Sequence, residues 1–455
     1  MRPHVCRYFE QPVGQAFSGR REGRKGMKVL FYPHSMEVGG SQLNALQLAG
    51  AVRERGHEVI ALSEPGPLVE RVRRMELEHI EIPERRRRPS GSVMRTIGRL
   101  VRERGIDVVH GHEWPPIIEA FFGARVPHRT AVVGTIMSMS VASFLPRDVP
   151  LTVGTEFIRK AAMEAGYRQV ELLEPPVDTN ADNPAVDGDG FRARHGIQPN
   201  EVLLAMVCRL VPDLKLEGLL SACEAVRELA VAGCPVRLVI VGDGRARGEV
   251  ARHAAAVNAS AGREVVLITG EMTDPAAAYA AADVVIGQGG SALRGMAFGK
   301  PLVVVGEEGF SELLTSESLP VFLGQGWYGL GPGSLGVGTP ALRIALERLV
   351  GSPKLRSELG QLGRQLTEQR FSLEHAANVV ENLYLSAIRN PAPFGSMLSD
   401  FVHVSAGLVG NKIGRKYQRW TGRSSVDDNN ARELIAAVIT NGKRGETLPF
   451  RTGPQ

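Results

Sequence analysis

The chain has few cysteines and no long apolar run, so its sequence offers little support for redox chemistry, metal binding or a membrane span. Its four cysteines, Cys6, Cys208, Cys223 and Cys234, have no CxxC or Cys/His ligand spacing. We interpret them as reduced thiols, which are typical of a cytoplasmic protein. No apolar run approaches the roughly 20 residues that span a bilayer. We therefore expect no metal site, no membrane span and a cytoplasmic location.

Aromatic residues and strong net charge are also scarce, at 5% of the chain and +5. No zinc finger, RNP motif or basic stripe with interleaved aromatics is present, so nucleic acid is not an expected partner. Arginine is concentrated in the first half, including Arg85 to Arg88. This segment is either a solvated surface or a patch for peripheral contact with anionic lipid headgroups at the inner membrane face.

Length and composition predict two soluble domains. The chain of 455 residues is 43% hydrophobic and 23% charged, and it is too long for one ordinary core. Residues 1–26 are polar and basic without an apolar segment, so they do not look like a secretory signal. We predict a disordered N-terminal extension there, with the first strand beginning after Met27.

The first predicted domain opens with a strand, a glycine turn, a helix and a second strand. The turn contains Gly39 and Gly40, and Ser41 is the predicted helix cap. This order is Rossmann-like. It places glycines and a helix N-terminus at the edge of the sheet, where a ligand can approach the backbone.

A second unit of this kind covers Ala282 to Gly306 and is the most informative stretch of the chain. A buried strand leads into a turn with Gly289 and Gly290, and Ser291 is the predicted cap of a short helix that ends at Gly299. Strand, glycine turn, helix and strand form a βαβ unit whose turn favours an anion.

The sequence GMAFGKPLVVV in this stretch resembles the "EAMA.GKPVI" signature of family 4 glycosyltransferases. The resemblance extends from Met27 to about Arg389. It implies an α/β GT-B fold, in which two Rossmann-like domains face a cleft and a C-terminal helix crosses back to the first domain. The implied divisions are a disordered extension at 1–26, an N-terminal acceptor-side domain at 27–180, a C-terminal donor domain at 186–372, a crossover helix at 373–389 and a C-terminal extension at 390–455.

Two cations carry the predicted chemistry. The family motif is Gly-Arg-Leu, a short loop and Lys-Gly, and its Arg and Lys hold the donor diphosphate. Arg209 and Lys215 match that motif, with Cys208 in place of the glycine and one extra loop residue. Two fixed cations beside a helix N-terminus suit a diphosphate leaving group.

The resemblance implies further site residues. Gly242 lies in a Gly-Asp-Gly turn like the family's "GxGP" turn near the nucleotide, and Gly270, Glu271 and Met272 align with the loop that contacts the base. The segment GIDVVHGHEWPP contains a His-x-His that the family places in its cleft. We predict that His110 and His112 alternate along the strand, so both cannot face the same core. Either one is buried and the other lies at the surface, or one of them lines the site, with His112 as the catalytic candidate.

The chain departs from the family at its usual carboxylates. Arg294 stands where a glutamate contacts the donor ribose, and Ile286 stands where its spaced partner belongs. Met137 replaces a histidine that lies near the transferred sugar in relatives. Arg294 either pairs with a donor phosphate or blocks the ribose pocket, and the sequence leaves both interpretations open.

Three later features complete the predictions. Glu312 fits a family glutamate at a helix start, and Trp327 and Tyr328 lie on a glycine-rich insertion that is either a flap or a buried anchor. The segment from Ser396 to Trp420 is a predicted helix with a basic end, which either packs on the first domain or contacts a membrane.

The predicted function is transfer of a sugar from a UDP- or GDP-linked donor to an unknown glycan or lipid-linked acceptor, in cell-surface glycan or glycolipid synthesis. The family implies a metal-independent, retaining hexosyltransferase, with the nucleotide sugar as substrate and no cofactor. Because Arg294 and Met137 replace family residues, the alternative is a catalytically silent GT-B protein that acts as a binding or assembly partner. A sugar-nucleotide epimerase is a third, weaker interpretation.

Overall fold

The computed structural model describes residues 26–37, 39–84, 88–138 and 141–420. Most of the predicted N-terminal extension and the arginines at 85–87 therefore lie outside the described residues. The chain divides into two compact units: Met1–Pro176 with Leu373–Gln455, and Val177–Ser372.

The first unit is built on a seven-stranded, fully parallel sheet. Its order is β3-β2-β1-β4-β5-β6-β7. The strands are β1 Lys28–Tyr32, β2 Glu58–Ser63, β3 Glu78–Glu81, β4 Val108–His112, β5 Ala131–Ile136, β6 Leu151–Val153 and β7 Val170–Leu172. Strands β1, β4 and β5 are almost entirely buried, as continuous apolar runs in a parallel sheet require.

Helices connect these strands. They are α1 Gly40–Glu54, α2 Val69–Arg74, α3 Gly91–Arg104, α4 Trp114–Ala120, a π-helical turn Phe121–Arg125, α5 Val126–His128 and α6 Glu156–Glu164. Thr155 caps α6, since its hydroxyl oxygen accepts a hydrogen bond from the Ile158 amide at 3.2 Å. The predicted Ser41 cap is wrong: α1 begins one residue earlier, after Gly39, without a side-chain cap.

The second unit contains a six-stranded sheet in the order β10-β9-β8-β11-β12-β13, parallel except for β13. Its strands are β8 Val202–Val207, β9 Val236–Val241, β10 Val266–Gly270, β11 Val284–Gly287, β12 Leu302–Val305 and β13 Ser311–Leu313. Its helices are α7 Asp189–Arg194, α8 Pro212–Val231, α9 Arg247–Ala261, α10 Ala276–Ala281, α11 Gly290–Ala297, α12 Leu319–Gln325, α13 Gly338–Val350, α14 Pro353–Leu366 and a π-helical turn Thr367–Phe371.

Two structural expectations for this unit fail. Glu312 lies on strand β13 rather than at a helix start, and its carboxylate accepts hydrogen bonds from the amide and hydroxyl of Ser334. Helix α11 begins at Gly290 after Gly289, so Ser291 is not its N-cap. The Ser291 hydroxyl instead donates to the Gln288 carbonyl at 2.9 Å.

The chain returns to the first unit through helix α15, Leu373–Arg389, as predicted. Its inner face buries Val380, Leu383 and Tyr384 against the core that contains Phe31. Arg55 forms an ion pair with Glu381 on its outer part. The return of this helix explains why the first unit is discontinuous in sequence.

The last described helix, α16, Phe394–Trp420, also packs on the first unit. Asp400 accepts hydrogen bonds from the amides of Arg147 and Asp148 at 3.0 and 2.9 Å. Val404 is fully buried in the core. In the described part of the chain, no helix has the length and apolarity needed to cross a bilayer.

Candidate functional site

Glycines bring the strand ends of the second sheet close together. A Cβ on Gly242 would lie only 1.9 Å from the Cys208 carbonyl oxygen, and its φ of 151° is rare for other residues. The Gly242 amide donates to the Gly270 carbonyl at 2.9 Å. Gly242 and Gly270 therefore join the ends of β8, β9 and β10, and this contact fixes the backbone that carries Arg209.

The segment between Arg209 and Lys215 has a strained backbone. Leu214 has φ 64° and interrupts helix α8, so the regular helix begins at Lys215. Its carbonyl accepts a hydrogen bond from the Gln288 side chain at 2.5 Å. A strained, non-glycine residue at such a place is a common feature of functional sites.

Lys215 lies in a small pocket at the ends of β8 and β11. The pocket is lined by Cys208, Gly287, Gln288 and Ser291, among others. Burial lowers the pKa of Lys215 to about 8; the nearby Cys208 thiol opposes this shift, and the charge of Arg209 adds to it. Burial in turn raises the pKa of the Cys208 thiol against the opposing charge of Lys215.

Among the described residues, no carboxylate pairs with the side chain of Arg209 or Lys215, and neither side chain has a hydrogen bond. The Arg209 side chain is exposed. Arg209 directly follows Cys208, which lines the Lys215 pocket, and its charge contributes to lowering the pKa of Lys215.

The glycine turn before α11 lies next to this pocket. Gly289 has φ 57° and ψ −133°, a conformation open essentially to glycine alone. Its amide donates to the Trp327 carbonyl at 2.8 Å. The amides of Gly290 and Ser291 follow in the first helical turn, where no intrahelical acceptor exists for them. The turn therefore presents backbone donors and a helix N-terminus beside Lys215.

Arg294 is engaged elsewhere in the same unit. Its Nε and Nη2 donate to both carboxylate oxygens of Asp182 at 2.7 Å, and Nη2 also reaches Asp274 at 3.1 Å. The guanidinium lies over the Tyr279 ring, 5.5 Å from its centroid. Burial lowers the pKa of Arg294, but the hydrogen bonds and charge of Asp182 outweigh this and raise it above its ordinary value. A donor phosphate would have to displace Asp182 to bind this side chain through Nε and Nη2.

The loop after β10 contributes little side-chain chemistry. Glu271 is exposed, and Met272 is half-buried against the small core that contains Phe191. The predicted contact with the nucleotide base therefore depends on the backbone of Gly270 to Met272, and it stays a prediction.

His110 and His112 on β4 are both buried in the first unit, so the prediction that they cannot both face the same core is wrong. Residues two apart on a strand share a face, and the two ring centroids are 4.3 Å apart. His110 contacts the Tyr384 and Thr135 hydroxyls at 2.6 and 2.7 Å. Burial lowers the pKa of His110 to about 3 and that of His112 well below its ordinary value.

His112, the catalytic candidate, packs against Phe31 with ring centroids 4.4 Å apart. Its Nε2 has no hydrogen-bond partner among the described residues. A buried neutral imidazole can accept or donate one hydrogen bond, but it supplies no positive charge. The catalytic role of His112 stays a prediction.

Glu113, directly after β4, is a candidate site residue that was not predicted from the sequence. Its φ is 66°, and its carboxylate accepts hydrogen bonds from the Met137 amide at 2.9 Å and from the Ser138 amide and hydroxyl at 3.0 and 2.7 Å. Burial raises the pKa of Glu113, and these hydrogen bonds oppose the shift. A polar residue directly after a buried strand was the signal that could have found it.

Gly39 and Gly40 begin helix α1 at the same edge of the first sheet. Gly40 is exposed with open space around its Cα, whereas Gly39 packs closely on the Gln42 side chain. Gln42 in turn contacts the His34 ring at 3.2 Å. No group of three or more His, Cys, Asp or Glu residues suited to a metal ion occurs in the part of the chain that the structure covers.

Comparisons with known proteins agree with this architecture. Residues 38–173 match the model of Glycosyltransferase Family 4, and residues 201–322 match that of Glycosyl transferases group 1. Together these models match more than half of the chain. The comparison with curated proteins found no match.

Solved structures show the same fold at low sequence identity. A glycosyltransferase from Rickettsia africae is 15% identical with a TM-score of 0.64, and the match covers 81% of this chain and 100% of that one. Alr3699/HepE from Anabaena, solved with UDP, is 16% identical with a TM-score of 0.59, over 79% and 100% of the chains. The catalytic domain of starch synthase IV from Arabidopsis thaliana, bound to ADP and acarbose, is 15% identical with a TM-score of 0.55, over 80% and 100%.

The two parallel-rich α/β units and the glycine turns at their sheet edges define a protein with the GT-B fold. The chain is a family 4 glycosyltransferase-like protein.

Proposed function

We propose that this protein transfers a sugar from a nucleoside-diphosphate donor to an acceptor, and that Arg209 and Lys215 hold the diphosphate. The observation that carries the proposal is the pair of cations without a carboxylate partner at the carboxyl edge of the second sheet. In open α/β sheets, ligands bind at the carboxyl ends of strands. Alr3699/HepE, which shares the fold, was solved with UDP.

The chemistry follows from charge. When the glycosidic bond to the donor breaks, negative charge develops on the departing diphosphate. Arg209 and Lys215 would stabilise that charge, and the first-turn amides of α11 at Gly290 and Ser291 would add backbone donors. Because protein cations neutralise the leaving group in this scheme, we propose a metal-independent reaction, and we propose retention of anomeric configuration and hexosyl transfer from the family resemblance alone.

Titration calorimetry with UDP and GDP tests the proposal. We expect the wild-type protein to bind at least one of them and Arg209→Ala to weaken that binding about tenfold or more, because a charge-assisted contact is lost. Arg252→Ala is the matched control, since Arg252 is an exposed arginine on helix α9 of the same unit. Absence of wild-type binding at millimolar nucleotide would contradict the proposal and favour a catalytically silent partner protein.

For the acceptor side, we propose peripheral contact with an anionic membrane through helix α16, so that a lipid-linked acceptor is within reach. The helix exposes large apolar side chains on the face opposite Asp400 and Val404. Leu398 and Val402 are 54% and 61% exposed, and Phe394, Val409 and Ile413 lie on the same side. The last turns of the helix contain Lys412, Arg415, Lys416 and Arg419. An apolar stripe with a basic end is complementary to an anionic bilayer surface.

The predicted arginine patch at Arg85 to Arg88 stays a prediction. The residues at 85–87 lie outside the described part of the chain, and Arg88 is already paired with Glu64 at 2.7 Å and bonded to the His34 carbonyl. The cytoplasmic location at the inner membrane face stays part of this proposal.

Co-sedimentation with vesicles of phosphatidylcholine alone or with phosphatidylglycerol tests the contact. We expect wild-type protein to favour the anionic vesicles and Leu398→Asp/Val402→Asp to lose that preference, while Lys354→Ala on helix α14 keeps it. Equal sedimentation of wild type with both vesicle types would refute the membrane contact. A change of oligomeric state in the double variant without any vesicle effect would instead identify this face as a contact between copies.

A further inference from the structure

Tyr328 lies at the meeting point of the features that define the anion site. Its ring centroid is 5.9 Å from the Lys215 ammonium, which is near the limit of a cation–π contact. Its hydroxyl lies against Gly289, because a Cβ on that glycine would come within 2.5 Å of it. The charge of Arg209 also acts on Tyr328, although burial dominates and raises the pKa of the phenol.

The segment that carries Tyr328 is held firmly. Trp327 stacks on Phe322 with ring centroids 5.3 Å apart and packs edge-on against Phe371. The Trp327 carbonyl accepts the Gly289 amide, and the Gly329 carbonyl accepts the Glu307 amide. Trp327 adopts φ 67°, a strained conformation that these contacts impose. Tyr328 is therefore set in place by its neighbours rather than free to swing like a flap.

Tyr328 is half-buried, and its hydroxyl has no hydrogen-bond partner among the described residues. Tyrosine hydroxyls in partly buried positions are well suited to bind a polar ligand group. Tyr328 thus shares with Lys215 the property of a polar group with no protein partner, and both border the same glycine turn.

We propose that Tyr328 is a third binding residue for the diphosphate, with its hydroxyl donating a hydrogen bond to the phosphate that Lys215 and Arg209 hold. The inference rests on the proposed function. It concerns a residue beyond the matched family segment, which ends at residue 322. Because Trp327 anchors the segment, the Tyr328 hydroxyl has a fixed position. Only a phosphate group that lies within reach of that position can accept its hydrogen bond.

A hydroxyl fixed beside Lys215 should serve the distal phosphate of a diphosphate. We therefore expect Tyr328→Phe, which removes only the oxygen, to weaken UDP or GDP binding about tenfold, as the loss of a hydrogen bond to a charged group does. Binding of the corresponding monophosphate should change less than twofold. The matched control is Tyr279→Phe, a buried tyrosine of the same unit that lies beneath Arg294, and it should leave both affinities unchanged.

Calorimetry on the full chain, with thermal unfolding of each variant alongside, decides the matter. If the wild-type protein binds neither diphosphate, the proposed function fails and takes this inference with it. If the wild type binds a diphosphate and Tyr328→Phe binds it equally well, or loses the monophosphate to the same degree, the role of Tyr328 is refuted while the proposed function stands.

Discussion

The carboxyl edges of the two sheets treat polar groups in opposite ways. In the first unit, His110 is paired with Tyr384 and Thr135, and Glu113 is paired with Ser138. In the second unit, Arg209 and Lys215 have no acid partner within the described ranges, although burial lowers the pKa of Lys215. The first edge pairs most of its polar groups, with His112 Nε2 as an exception, whereas the second carries two cations that we propose bind an external anion.

Other cations of the second unit do have acid partners. Arg294, at the other end of α11, is held by a bidentate pair with Asp182. A partly buried charge costs free energy unless it is paired. The unpaired Lys215 is therefore the cation that fits the proposed binding role, and the paired Arg294 fits a structural one.

The largest effect should come from breaking the paired cation. Arg294→Ala leaves the Asp182 carboxylate, whose side chain is only 8% exposed, without the guanidinium that bonds both of its oxygens. We expect a loss of about 3 kcal/mol in the free energy of unfolding, the lower end of the range for breaking a buried ion pair. Urea unfolding measures it.

Replacing both partners by apolar residues provides the control. Arg294→Met/Asp182→Leu should recover most of that loss, because no unpaired charge remains. A loss below 1 kcal/mol in Arg294→Ala would mean that the ion pair is not structural, and the contrast with Lys215 would fail.

Replacing Lys215 should stabilise the fold, in contrast to the replacement of Arg294. The ordinary pKa of lysine is 10.5, and the folded protein lowers that of Lys215 to about 8, so the unfolded chain binds more protons between these values. Lys215 therefore destabilises the fold below pH 8, and this penalty disappears as the pH rises to 10.5. Lys215→Met should raise the free energy of unfolding at pH 7 by up to about 3 kcal/mol.

The difference between wild type and Lys215→Met should shrink as the pH rises from 8 to 10.5, which urea unfolding at several pH values can follow. Diphosphate affinity should behave in the reverse sense: the variant should lose it about 100-fold at pH 7, as one or two charged contacts disappear. Wild-type affinity should decline above pH 8, where the ammonium loses its proton. A variant that is less stable than wild type at pH 7 would contradict the view of Lys215 as an uncompensated charge.

A smaller effect tests the hydrogen bond between Tyr384 and His110 in the first unit. Tyr384→Phe removes the hydroxyl from the buried His110 Nδ1 and should cost about 2 kcal/mol in the free energy of unfolding, the penalty for an unsatisfied buried group. Nucleotide affinity should not change. If UDP or GDP binding fell together with stability, the two units would not be the separate structural and binding regions described above.

Much of this organisation could be predicted from the sequence. Buried strands before Gly39 and Gly289 identified both Rossmann-like openings. The spacing of Arg209 and Lys215 singled out two cations whose role as an anion site stays a prediction. The helix returning to the first unit followed from the family resemblance. These features depend on local patterns that a single sequence displays.

The rest depended on contacts between distant residues. The partner of Arg294 is Asp182, 112 residues away, and no local signal joins them. The prediction that Glu312 lies at a helix start was wrong because it belongs to β13, an antiparallel edge strand of only three residues. A strand this short leaves no clear pattern in the sequence. Helices α1 and α11 begin one or two residues before the predicted positions. Gly39 and Gly289 are their N-cap residues, rather than the serines that follow.

The smallest predicted effect concerns one of those serines. The Ser291 hydroxyl donates to the Gln288 carbonyl at 2.9 Å and accepts from the Gln288 amide at 3.3 Å, so it is directed back into the turn. Ser291→Ala should therefore cost about 1 kcal/mol in the free energy of unfolding, the value of a typical hydrogen bond. It should change diphosphate affinity less than threefold, because the donors at this turn are backbone amides that alanine keeps. Calorimetry and urea unfolding on one preparation separate the two effects. A loss of affinity comparable to that of Lys215→Met would show that the side chain, and not the backbone of the glycine turn, binds the phosphate.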